Sequence, residues 1–149
     1  MTPSEVQRFL DEQKVITVAT IGRDGRPHLA PLWYLPIQHG LTTWTYGSSQ
    51  KVVNLRRLPQ ATVLIESGDT YESLRGLSIE ADVQVVEEVE AVTEIGIALA
   101  QRYSGARSGD PVPETVRESV AAQAVKRVGL IFTPTKTISW DHAKLGGVY

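Results

Sequence analysis

The sequence predicts an α+β protein built on an antiparallel β-barrel, closed or split, with helices at its periphery. Three observations carry this expectation. β-Branched and aromatic runs separated by short turns make about five to seven strands. The early turns have hairpin chemistry, which joins neighbouring antiparallel strands. Helical spacing enters mainly late in the chain and does not alternate strand by strand, which argues against a parallel doubly wound sheet.

The elements follow in order. Pro3-Ser4-Glu5 ahead of Val6, Phe9 and Leu10 reads as a short helix, and Lys14 to Ile21 as a strand. Gly22 to Pro27 is a turn whose Asp24-Gly25 pair signals a hairpin, and His28 to Leu35 is the return strand. Pro31 cannot donate to a ladder, so it belongs at an edge, at a bulge, or where a ligand replaces a neighbouring strand. Pro36 to Gly40 turns the chain into a third strand, Leu41 to Tyr46, before a helix over 50–58 and a fourth strand, Ala61 to Glu66. After the loop Ser67 to Thr70, the run Tyr71 to Val86 is too long for a flat strand, and Gly76 marks a bend or break. Glu87 to Tyr103 has helical spacing, with Val92, Ile95, Leu99 and Tyr103 on one face. A glycine- and proline-rich loop, Ser104 to Pro113, leads to an alanine-rich helix, Glu114 to Lys126. The last strands are Val128 to Phe132 and Thr135 to Trp140, interrupted by Pro134.

Composition narrows the function classes. A chain of 149 residues with 42% hydrophobic and 21% charged residues suits one globular domain. No cysteine is present, which removes disulfides, thiolate metal sites and a cysteine nucleophile. A formal net charge of -2 argues against binding nucleic acid through phosphates. The first ten residues lack the pattern of a signal peptide and no run reaches membrane-span length, so a cytoplasmic protein is expected.

The most informative stretch is Thr43-Trp44-Thr45-Tyr46-Gly47-Ser48-Ser49-Gln50-Lys51, where an alternating strand pattern stops at a glycine and becomes helical. Ser48 or Ser49 is a good helix cap. The amides behind it and the helix dipole favour an anion, and Lys51 and Arg56 add charge. The same residues also fit an amphipathic helix with Val52, Leu55 and Leu58 facing a core and its basic residues solvated. His28, His39 and His142 lie far apart, never at metal-site spacing, so no metal is expected. No serine elbow and no suitably placed carboxylate pair is found. A chain without reactive side chains of its own points to a borrowed cofactor. Trp33, Tyr34, Trp44, Tyr46 and Trp140 could pack as core or stack on a planar ring. The tail Ser139 to Tyr149 keeps a tryptophan, Asp141, His142 and Lys144 where a terminus normally loses pattern.

VATIGRDGRPHLAPLWYL, TYGSSQKVVNLRRLP and the closing ISWDHAKLGG together resemble the split β-barrel superfamily of pyridoxamine 5′-phosphate oxidase. The Trp-Asp-His-x-Lys-Leu ending resembles its actinobacterial branch that uses the deazaflavin coenzyme F-420; the other two motifs are shared with FMN-binding relatives. The resemblance covers nearly the whole chain. It implies a split barrel with peripheral helices, and a homodimer with two cofactor sites in the grooves between subunits. It further implies that Lys51, with Ser48 or Ser49 and Arg56, holds the cofactor phosphate. Thr45 belongs to the same site. Backbone groups of Ala30, Pro31, Leu32 and Trp33 line the ring, and the tail, with Trp140, His142 and Lys144, closes the pocket. The implied reaction is hydride transfer from the reduced deazaflavin to an activated double bond of an enone, quinone or tetrapyrrole-like acceptor, with Tyr34 and His142 as candidate proton donors. Two alternatives remain open: an FMN-dependent oxidoreductase of the same fold, and a non-catalytic protein that binds flavin or haem.

Overall fold

The computed structural model describes residues 1–107 and 109–146. Its centre is one seven-stranded antiparallel sheet in the order β2-β1-β5-β6-β7-β4-β3. The strands are β1 (Val15–Ile21), β2 (Pro27–Trp33), β3 (Leu35–Ile37), β4 (Gly40–Tyr46), β5 (Gln60–Ser67), β6 (Arg75–Val86) and β7 (Arg127–Asp141). The first and last strands of that order, β2 and β3, follow one another in the chain across Tyr34 alone. The sheet therefore curls into a half-barrel whose two edges meet at this residue, which is fully buried. The Thr43 hydroxyl of β4 donates to the Trp33 carbonyl oxygen at 2.5 Å across the seam.

Period-two alternation fills the barrel. Ile16 and Val18 of β1, Val63 and Ile65 of β5, Leu77 and Ile79 of β6, and Leu130 and Phe132 of β7 form one buried cluster. Two helices contribute to it, α1 (Pro3–Glu12) through Phe9 and α2 (Gln50–Arg57) through Val52 and Leu55. Helices α3 (Val89–Ser104) and α4 (Glu114–Ala124) cover a second cluster around Val86, Val92 and Ala124, with Trp44 and Ile131 packed on it. Close approach of α3 to β4 needs a glycine: a Cβ at Gly96 would lie 2.5 Å from the Trp44 ring.

The expected barrel and helices are present, with four differences. The run Tyr71 to Val86 opens with a 3-10 turn at Tyr71–Ser73, so β6 begins only at Arg75. Gly76 is neither bend nor break. It pairs with Trp140 inside the ladder, where a Cβ would meet that indole at 2.4 Å. The two expected C-terminal strands are one 15-residue strand, because Pro134 sits opposite Ala81 at a register shift that leaves Thr135 as the extra residue. The Thr135 hydroxyl bonds the Glu80 carbonyl oxygen at 3.1 Å there. The expected return strand from His28 to Leu35 is split at Tyr34 into β2 and β3. No helix among the described residues is long and apolar enough to cross a membrane.

Candidate functional site

Alternation along β4 turns Thr45 to the buried side of the sheet. The β4–β7 ladder ends at Tyr46 opposite Arg127, the Gly47 amide bonds the Lys126 carbonyl at 3.0 Å, and the chain turns into α2. Ser49 is the N-cap, in extended backbone, yet its hydroxyl makes no capping bond; its Oγ is buried without a partner. Ser48 is exposed in the turn. Lys51, the second helical residue, is only 9% exposed and donates from Nζ to Thr45 Oγ1 at 2.9 Å. Among the described residues it has no ion pair. Burial lowers its pKa below the ordinary value of 10.5.

The β4–α2 junction thus carries, within three residues of chain, a buried cation without a counter-anion, a buried hydroxyl without a partner and the first amides of a helix. Each is costly alone and each is satisfied by a single anion. A phosphate group fits this donor set. The fully buried Asn54 braces the helix: its Nδ2 donates to Thr20 Oγ1 of β1 at 3.1 Å, and its Oδ1 accepts from Gln50 Nε2 at 2.9 Å. Gln50 and Asn54 also line a groove of about 380 Å³ with Arg23, Asp24, Arg26 and His28 of the β1–β2 hairpin, where Arg26 pairs with Asp24 at 3.6 Å.

The other expected site residues scatter. Arg56 lies about 140° round the helix from Lys51, and its guanidinium pairs with Glu87 at 2.6 Å, so it faces away from the Thr45 contact. Ala30, Pro31, Leu32 and Trp33 lie on β2, which is bonded to β1 on one side and open on the other; Pro31 has the edge position its missing N–H requires. Trp33 is 59% exposed and stacks on Tyr103, centroids 4.2 Å apart and planes within 6°.

Tyr34 is a core anchor. Its hydroxyl donates to the Leu10 carbonyl oxygen at 2.6 Å, and burial pushes its pKa well above the usual tyrosine range, so in this arrangement it has no access to a bound acceptor. The five aromatics do not gather on one ring. Trp44 packs under α3, the Arg127 guanidinium lies 4.4 Å from both the Trp44 and Tyr46 centroids, and Trp140 covers Gly76.

The tail also differs from expectation. Trp140 and Asp141 end β7, the far end of that strand from the Thr45 and Lys51 contact, and a 3-10 turn follows at His142–Leu145. Asp141 caps the Ala143 amide at 3.2 Å, and His142 Nδ1 lies 2.9 Å from the Tyr71 carbonyl oxygen. Lys144 Nζ meets both oxygens of Glu5, at 2.7 and 2.6 Å. These polar groups are satisfied within the chain, so they do not meet Lys51 within one protomer. Positions 147–149 of the expected tail lie outside the described residues. Among the described residues no group of three histidine or carboxylate side chains is placed to hold a metal.

Sequence reading missed Asn54 and Tyr103. Only a buried polar residue at helical spacing, and an aromatic at the end of a helix, could have pointed to them.

The family model described as pyridoxamine 5′-phosphate oxidase matches residues 2–140. The chain belongs to the pyridoxamine 5′-phosphate oxidase family. Among curated proteins it is similar to a biliverdin reductase of Mycobacterium tuberculosis that depends on reduced coenzyme F-420, at 29% identity over 119 residues, covering 78% of this chain and 81% of that one. A crystal structure of a conserved hypothetical protein from Mycobacterium tuberculosis superposes with a TM-score of 0.88 at 40% identity, covering all of this chain and 90% of the other. An F-420 reductase superposes with a TM-score of 0.67 at 20% identity, covering 89% and 94%, and supports the split-barrel fold.

Proposed function

We propose that this pyridoxamine 5′-phosphate oxidase-family protein is an oxidoreductase that uses the deazaflavin coenzyme F-420 to reduce an activated double bond of a small-molecule acceptor. The observation that carries the cofactor site is Lys51: a buried ammonium bonded to the Thr45 hydroxyl and, among the described residues, without an ion pair, two positions along the chain from the orphaned Ser49 hydroxyl. The similarity to a reductase dependent on reduced coenzyme F-420 favours the deazaflavin over FMN. When bound, the reduced cofactor supplies a hydride from C5.

The protein's own residues bind and orient. Lys51, Ser49 and the first amides of α2 hold the phosphate. Arg23 and His28, which line the groove beside Gln50, meet the acidic tail that coenzyme F-420 carries beyond its phosphate; this role passes to them from Lys144, which Glu5 occupies, while Arg26 in the same groove pairs with Asp24. The open edge of β2 from Ala30 to Trp33 lines the ring and excludes water from it. Solvent returns the proton, since Tyr34 is enclosed.

The protein works as a homodimer. Val15, Leu29, Leu64 and Ile138 are exposed large apolar residues on neighbouring strands of one outer face, a surface suited to a second copy. In that dimer a tail near a cofactor comes from the partner subunit, because β7 keeps each tail away from its own Lys51. The expected compartment is the cytoplasm.

Turnover tests the reading. Reduced coenzyme F-420 mixed with the protein and a quinone or linear tetrapyrrole acceptor should be oxidised with a rate proportional to protein. Tight retention of yellow FMN through purification, with no oxidation of the deazaflavin, would favour the FMN alternative.

A further inference from the structure

Trp33 is a large indole with one face on Tyr103 and more than half of its surface in solvent. The stack is held rigidly. The Tyr103 hydroxyl accepts the Tyr34 amide at 2.9 Å and donates to the Lys14 carbonyl oxygen, so α3, the start of β1 and the seam residue share one anchor. Next to it, a concavity of about 450 Å³ is lined by Lys14, Leu35, Ala98, Gln101, Arg102 and Ala106. The Lys14 ammonium lies 5.8 Å and the Arg102 guanidinium 6.0 Å from the Tyr103 ring centroid. The lining carries two cations and no acidic side chain. Arg102 spends its Nη2 on the carbonyl oxygens of Leu10, Asp11 and Gln13, and neither cation is ion-paired among the described residues. Lys14 is exposed, with its ammonium over the Tyr103 ring and no ion pair to hold it there.

We propose that this concavity and the adjoining Trp33–Tyr103 stack form the acceptor site, and that it takes a flat conjugated molecule bearing a carboxylate. Trp33 supplies the platform and Lys14 the charge, while Tyr103 is a positioning residue that locks the indole plane. A neutral quinone or simple enone would leave the Lys14 charge unanswered, so the site separates acidic acceptors from neutral ones. The proposal rests on the hydride-acceptor reading above, and places the acceptor at the end of β2, away from the Lys51 phosphate site.

Binding tests it without turnover. Biliverdin, a flat dicarboxylate, and its dimethyl ester are titrated against the wild type, Lys14→Gln and Trp33→Ala, reading absorbance shifts at fixed salt. The wild type should prefer the diacid. Lys14→Gln should weaken the diacid about tenfold and leave the ester unchanged, whereas Trp33→Ala should weaken both about tenfold. Equal affinity of diacid and ester for the wild type, unchanged affinities in both variants, or no binding by the wild type would overturn the assignment. Coenzyme F-420 is titrated separately into the same proteins. Its failure to bind while the Lys14 and Trp33 effects persist would sink the deazaflavin reading and leave this site standing.

Discussion

At the scale of a residue, the decisive fact is that Lys51 is buried with a single hydroxyl partner. A protein designed only for stability would place an apolar side chain there, because desolvating an ammonium costs more than one neutral hydrogen bond returns. Lys51→Met should therefore raise the unfolding free energy of the ligand-free protein, read from urea denaturation, by on the order of 1 kcal/mol after the loss of the Thr45 contact. The pH dependence has a definite sign. The folded pKa lies below 10.5, so between the two values the unfolded chain holds the extra proton and native stability rises with pH. Below that window the full desolvation penalty applies, and above it the penalty vanishes. Lys51→Met should remove this alkaline slope; a less stable variant would mean that Lys51 has another, structural partner, and an intact slope would mean that another group causes it.

At the scale of an element, the C-terminal turn is tied to the N-terminal helix by the Lys144–Glu5 pair. That contact holds the Glu5 carboxyl down at about 2, through the hydrogen bond from Lys144 first and the Thr2 amide second, against an ordinary 4.5. Its contribution is present above pH 4.5 and is lost as pH falls toward 2, and solvent screening keeps it small. An NMR titration of the Glu5 carboxyl should show a midpoint near 2 in the wild type, moving toward 4.5 in Lys144→Gln. An ordinary midpoint in the wild type would mean that the tail is not docked on α1.

The tail also shows where sequence reading stops. Local signals placed β1, the Asp24-Gly25 hairpin, β4 and the start of α2 correctly, because period-two alternation, turn chemistry and a serine cap act over a few residues. The partners of the tail's polar groups are not local: Glu5 lies 139 positions from Lys144. Asp141, His142 and Lys144 therefore read as groups awaiting a ligand when the chain already satisfies them. The same limit explains Pro134, whose disruption is absorbed by a register shift against β6, and Tyr34, whose burial depends on the two sheet edges meeting. At the β4–α2 junction, the places of Ser49 at the helix start and Lys51 in its first turn were legible from the sequence pattern, whereas the Thr45 contact and the outward turn of Arg56 required the packed helix.

At the scale of the whole molecule, a half-barrel with an open β2 edge and an exposed apolar outer face calls for a second copy. Light scattering at micromolar protein should give twice the monomer mass. A monomer that still binds the cofactor tightly would remove the intersubunit groove and with it any part for the tail. Dimerisation, the acceptor and the tail all depend on one prior claim, that the β4–α2 junction holds the cofactor phosphate. Fluorescence titration of coenzyme F-420 into the wild type and Lys51→Ala at one salt concentration tests it most directly. Losing a charge-assisted phosphate contact should cost about 1.5–3 kcal/mol, a weakening of roughly ten- to a hundredfold, with the thermal midpoint not reduced. Equal affinity of the two proteins would contradict the account and place the phosphate elsewhere.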